Sequence, residues 1–201
     1  MKNRQIYLFL FVLLLSCGEN SDKTANSKED STKVVNIPKG TRFEMLCVLK
    51  DSIDLMEENL IFNGQKLNQQ QMIALKTKIS VAKNEYVNQN VGYFKTFPED
   101  SLAPFCLVNL YKFYDRYEIY QKAINSIDTL QLYYPKFPNL SDFMELKAVT
   151  LDYYLKPRDT SRIREAYECL LSLPELPDHR KENYLSRLLN LDKDFISQKG
   201  N

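Results

Sequence analysis

From Leu46 to Phe195 the apolar residues fall at steps of three and four, the interval that returns side chains to one face of an α-helix. Leu46, Leu49, Ile53, Met56 and Leu60 form the first stripe. After Asn63-Gly64, Met72, Leu75, Ile79, Ala82 and Tyr86 form the second. Leu102, Cys106, Leu110, Phe113 and Tyr117 make a third, and Ile119, Ala123, Ile127, Leu130 and Tyr134 a fourth. Met144, Ala148, Leu151 and Leu155 follow, then Ile163, Ala166 or Tyr167, Leu170 and Leu173, then Tyr184, Leu188, Leu191 and Phe195. The pattern predicts an all-α protein of about seven helices.

The breaks between stripes have physical causes. Pro98, Pro135 with Pro138, Pro157, and Pro174 with Pro177 cannot continue a helix. Asp100 or Ser101, Asn139 or Ser141, Thr160 or Ser161, and Asp178 supply side-chain acceptors to cap the helix that follows. Pro104 falls in a first turn, where its missing N–H is tolerated. Glycine is absent from Tyr93 to Lys199, which disfavours a β-rich domain with its glycine turns. Links this short make successive helices antiparallel pairs.

The first residues have a different pattern. Lys2 and Arg4 precede an apolar run from Ile6 to Leu15, which is too short to span about 30 Å of hydrocarbon stably. Residues 1–16 read as a secretory signal. Leu14-Leu15-Ser16-Cys17-Gly18 resembles the bacterial lipobox, with Leu15 larger than the usual residue there. The resemblance implies that Cys17 is acylated, becomes the mature N-terminus and ties the chain to a membrane. Gly18 after the cysteine resembles the enteric pattern that sorts to the outer membrane, facing the periplasm. From Gly18 to Lys33 the one apolar residue is Ala25, so the stretch cannot offset its ordering entropy. Residues 17–41 are therefore expected to form a tether with a span of about 28 Å. A helical domain over 42–197 and a disordered tail at 198–201 complete the organisation.

The helices also repeat. Pro98, Pro135 and Pro177 lie 37 and 42 residues apart. Between the first two stand Leu107, Leu110 and Tyr114, then Ala123, Ile127 and Pro135. This resembles the tetratricopeptide repeat, with Leu107 at the Trp position, Ala123 as the small residue of the second helix, and Tyr111 where Gly or Ala is usual. Met144, Ala148, Leu151, Ala166 and Leu170 form a more degenerate second unit, split by the loop Lys156 to Ser161. From Asn68 to Phe195, about two thirds of the chain, the sequence resembles tetratricopeptide lipoproteins of Bacteroidetes, including Gly92-Tyr93-Phe94-Lys95-Thr96-Phe97-Pro98-Glu99-Asp100-Ser101-Leu102-Ala103-Pro104. More distantly it resembles the helical lipoprotein of the β-barrel assembly machine. The resemblance implies a short right-handed solenoid of stacked helix pairs.

Composition narrows the function. Lys and Arg total 27 against 26 Asp and Glu, a net charge of +1 that becomes −1 once Lys2 and Arg4 are removed. That balance carries no electrostatic case for nucleic acid. His179 is the one histidine, placed at a helix start beside Arg180 and Lys181, so no histidine-rich metal site or His-based triad can be built without it. Glu57-Glu58, Asp128 and Asp152 read as solvated positions on amphipathic helices. No glycine-rich phosphate loop is present. Besides Cys17 there are Cys47, Cys106 and Cys169; they allow at most one disulfide, yet each falls on a helical stripe as a small buried apolar group would.

The expectation is a protein without catalytic residues, metal or cofactor: an envelope lipoprotein that holds a protein or peptide partner. Stacked pairs make a groove lined by their first helices. Off the buried stripe there, Asn109, Lys112 and Asp115, with Tyr111, and Lys147 and Asp152 on the next unit, are the candidate groove residues. The alternatives are an accessory subunit of outer-membrane protein assembly, a small-ligand carrier or an envelope enzyme.

Overall fold

The structure, a computed structural model, describes residues 38–174 and 176–192. The lipobox and Cys17, the signal, most of the tether, Phe195 and the tail 198–201 lie outside the described residues. Within them are seven α-helices and no strand: α1 Lys39–Asn63, α2 Gln69–Thr96, α3 Ala103–Arg116, α4 Tyr120–Tyr133, α5 Leu140–Val149, α6 Thr160–Leu171 and α7 Asp178–Leu189. A 3₁₀ turn at Gly64–Lys66 follows α1, and α5 runs into a π-turn at Thr150–Tyr154. Helix α1 begins at Lys39, so residues 39–41, assigned to the tether from sequence, are helical.

Each helix packs on the next in chain order, and successive helices run antiparallel. The core follows the predicted stripes. Leu46, Leu49 and Ile53 of α1 meet Ala82, Tyr86 and Tyr93 of α2 and Ala103 and Cys106 of α3. Leu107, Val108 and Leu110 of α3 pack with Leu130 of α4. Ala123 of α4 is fully buried with Tyr111 and Ile127, and its single methyl sets the close approach of α3 and α4. Met144, Ala148, Leu151, Ile163, Tyr167, Leu170, Tyr184 and Leu191 fill the C-terminal half.

The helix starts differ from the sequence expectation in detail. Asp159 precedes α6 and its Oδ1 accepts from the N–H groups of Ser161 and Arg162 at 3.0 and 3.1 Å, the capping role assigned to Thr160 or Ser161. A carboxylate at a helix N-terminus adds its charge to the macrodipole, which a hydroxyl cannot do. Asp100 accepts from the Leu102 N–H at 2.9 Å and so braces the turn ahead of α3. Asn139 precedes α5 at φ 59°, the left-handed region that asparagine tolerates. Asp178 lies inside the first turn of α7, with Pro177 before it. Asn68 and Gln71 form a reciprocal capping box on α2, at 2.9 and 3.0 Å.

The cysteines separate by environment. All three are free thiols: Cys106 is buried, Cys169 half-buried and Cys47 exposed. Cys47 is therefore not on the buried stripe as expected, because Leu46 beside it already faces α2.

Candidate functional site

The six groove candidates do not form one surface. Tyr111 is 6% exposed, edge-on to Phe143 at 6.0 Å, and burial with help from the Asp115 charge pushes its phenol up to about 12. A ring where the repeat signature has glycine thus fills the gap between α3 and α5. Asn109 is half-buried, and its amide approaches the Asn90 Oδ1 at 3.4 Å; Asn90, fully buried, donates to the Tyr86 carbonyl at 2.8 Å. Lys112 and Asp115 are exposed on α3, as expected. Lys147 is half-buried and ion-paired with Asp128 of α4 at 2.5 Å.

Asp152 departs furthest from its expected solvated position. It is 4% exposed, within the π-turn. Arg187 of α7 donates Nε to Oδ2 at 2.5 Å and Nη2 to Oδ1 at 2.7 Å. Arg158 donates Nη2 to the same Oδ1 at 2.8 Å, and the Tyr167 hydroxyl lies 3.4 Å from Oδ2. Arg158 Nε also donates to Oδ1 at 3.2 Å, and two further arms reach backbone: Arg158 Nη1 to the Leu191 carbonyl at 2.8 Å, Arg187 Nη1 to the Asn190 carbonyl at 3.0 Å. Burial alone would raise the Asp152 pKa, but the two guanidinium groups outweigh it and hold the carboxyl below its ordinary range. Every arm of this cluster that points inward ends on the protein itself, so it ties the π-turn, the loop before α6 and the end of α7 together.

A second charged cluster joins α1, α2 and α3. Glu57 is paired with Lys83 at 2.6 Å and with Arg116 at 2.8 Å, and accepts from the Tyr117 hydroxyl at 2.9 Å. Arg116 also pairs with Asp54. Glu57 was expected to be solvated; its partners lie 26 residues or more away in sequence, beyond the reach of a helical pattern. His179 is exposed in the first turn of α7, as expected. Among the described residues no three His, Cys, Asp or Glu side chains are grouped as metal ligands, and no helix is long and apolar enough to cross a membrane.

An open cleft of about 270 Å³ lies between α2 and α4, floored by α3. Val91, Phe94, Leu107, Leu110 and Tyr114 make its apolar surface, and Lys95 and Lys122 stand at its rim. Lys122 lies 5.5 Å from the centre of the Tyr114 ring, which holds the cation over an aromatic face. Phe94 meets Tyr133 edge-on at 5.5 Å, and Tyr133 is exposed, so the aromatic wall continues beyond the cleft. Ser126 and Thr129 donate to the Lys122 and Asn125 carbonyls at 2.9 and 2.8 Å. Their remaining lone pairs can accept from a bound N–H. The volume suits one or two side chains rather than a large cofactor. Sequence reasoning missed this cleft because its walls come from the second helices of two pairs.

The chain matches no protein-family model, and neither the curated proteins nor the solved structures yield a match to it.

Proposed function

We propose that this protein is a membrane-anchored lipoprotein of the cell envelope that acts as a non-enzymatic scaffold, holding a protein or peptide partner on a short tetratricopeptide-like solenoid. The observation that carries the reading is the cleft between α2 and α4, with its aromatic wall, two rim lysines and hydroxyl acceptors. Aromatic anchors with an apolar body and a polar rim are the composition of protein-binding surfaces. The sequential antiparallel helices and the small Ala123 contact support the solenoid. The lipobox and the polar stretch after it support the anchor, because acyl chains on Cys17 hold the domain to a membrane while the roughly 20 residues between Cys17 and α1 let it stand clear.

Two measurements test this reading. Cys17→Ala should abolish incorporation of labelled fatty acid and release the protein from membranes. Capture of the full chain from cross-linked envelopes should recover a defined protein, with recovery reduced by Lys122→Glu. Retained membrane association of Cys17→Ala, or capture that never rises above background, overturns it.

A further inference from the structure

Helix α1 carries apolar residues on two sides. One side is the core stripe of Leu46, Leu49 and Ile53. The other runs through Met45, Val48, Ser52, Leu55, Asn59 and Phe62 at steps of three and four, with Val48, Leu55 and Phe62 all exposed. That is the seven-residue repeat of a helix-pairing seam, with an apolar residue at every second position of the pattern.

Which side of the hairpin this seam occupies is fixed by two contacts. Met45 lines one open cleft, of about 300 Å³, together with Gln89, Gly92 and Thr96 of α2. Lys83 of α2 and Arg116 of α3 both reach Glu57, and so mark the opposite side, which α3 covers. Stepping back along α2 from Gln89 by helical intervals gives Glu85, Val81, Lys78 and Ala74, all exposed. Among the described residues the uncovered face therefore has Leu55 (67% exposed) on α1 and Val81 (63%) on α2. Phe43 meets Tyr93 edge-on across the hairpin at 6.1 Å, and Leu55 lies as far beyond Phe43 on α1 as Val81 lies before Tyr93 on α2, so these two apolar residues stand at about the same level.

Charge then says what fits. On the α2 stripe Lys78 lies three residues before Val81 and Glu85 four residues after it. A two-fold axis beside Val81 sets α2 antiparallel to a second α2, places Val81 against its own copy, and brings each Lys78 opposite the other Glu85. A two-fold contact requires this reciprocity, residue i facing j and j facing i. On α1 the same axis passes at the level of Leu55 and sets it beside its own copy. Apolar residues at the centre and charged and amide residues outside match the usual zoning of an interface. The 25 residues of α1 are about 37 Å long. Two helices abreast are about 20 Å wide, which gives a face near the roughly 800 Å² per partner of a stable interface.

We propose that the exposed face of α1 and α2 joins two copies of this chain in an antiparallel, two-fold dimer. This face is separate from the cleft between α2 and α4, so the dimer does not depend on the scaffold reading.

The test is the mass of the full chain in density-matched detergent by sedimentation equilibrium. Wild type should sediment as a dimer. Leu55→Glu with Val81→Glu should give a monomer with unchanged far-ultraviolet circular dichroism. Lys78→Glu and Glu85→Lys should each raise the dimer dissociation constant about tenfold or more, and the two together should restore it. The restoration cannot come from a folding defect. A monomeric wild type, or a dimer indifferent to all four variants, overturns the proposal.

Discussion

Arg187 lies along the Asp152 carboxylate with two parallel hydrogen bonds, Nε to Oδ2 at 2.5 Å and Nη2 to Oδ1 at 2.7 Å, joining α7 to the π-turn that ends α5. Both side chains are buried, and Arg158 shares the same carboxylate. Removing one member of such a group leaves uncompensated charge in the interior, which costs about 3–5 kcal/mol. Asp152→Asn should lower stability to urea by about that amount, and the loss should be read from the unfolding midpoint at unchanged slope. A change under about 0.5 kcal/mol, the size typical of ordinary surface positions, would contradict the role given to this pair.

The same pair sets an acid response. The Asp152 carboxyl is held below its ordinary value, as is that of Asp54, where hydrogen bonds from Lys50 and Arg116 outweigh a burial effect that would raise it. A depressed carboxyl stabilises the fold fully above its unfolded value of about 3.9, and this contribution is lost as pH falls through the lower folded value. Thermal unfolding followed by circular dichroism should therefore show little carboxylate-linked loss between pH 7 and 5 and a decline below about pH 4. Asp152→Asn should flatten the low-pH decline.

Thiol chemistry separates the helices. Burial, with smaller contributions from Asp100 and Cys47, pushes the Cys106 thiol up to about 12, while Cys47 is exposed. The thiolate is the reactive form, so at pH 8 a maleimide should label Cys47 within minutes and Cys106 only after denaturation. Peptide mapping of the labelled chain distinguishes the two.

Ala123 is fully buried where α4 meets α3. Ala123→Leu adds volume to a filled contact and should destabilise by about 1–3 kcal/mol, because overpacking forces side chains off their rotamers. Ala123→Ser, close in size, should cost less. Equal tolerance of Leu and Ser in thermal melts would show that the two helices do not approach closely here.

The helices were legible because burial of one face imposes a spacing that sequence displays directly. Leu46, Ile79, Leu110, Ile127, Ala148 and Leu170 fall on the expected stripes and are all buried. The candidate surface was less legible for a reason visible in Asp152 and Tyr111. Position on a helix says how a side chain is angled, but a buried arginine from another helix can bring a carboxylate inside, and a ring can fill a gap that glycine would leave. The π-turn also ended α5 earlier than the stripe to Leu155 implied. The partners of Asp152, Arg158 and Arg187, lie 6 and 35 residues away from it, and no local pattern announces either contact. The cleft between α2 and α4 belongs to the same class of feature, since it exists only once α2, α3 and α4 have packed together.

The central claim is that this cleft holds a partner protein at a membrane. A photo-reactive amino acid at Thr129, inside the cleft, in the full chain expressed in intact cells tests it most directly. The account predicts one defined adduct in the membrane fraction, diminished by Lys122→Glu and retained when the same probe chain carries Asp115→Ala on α3. Absence of any adduct above background at Thr129, with the chain folded and present in membranes, would contradict it.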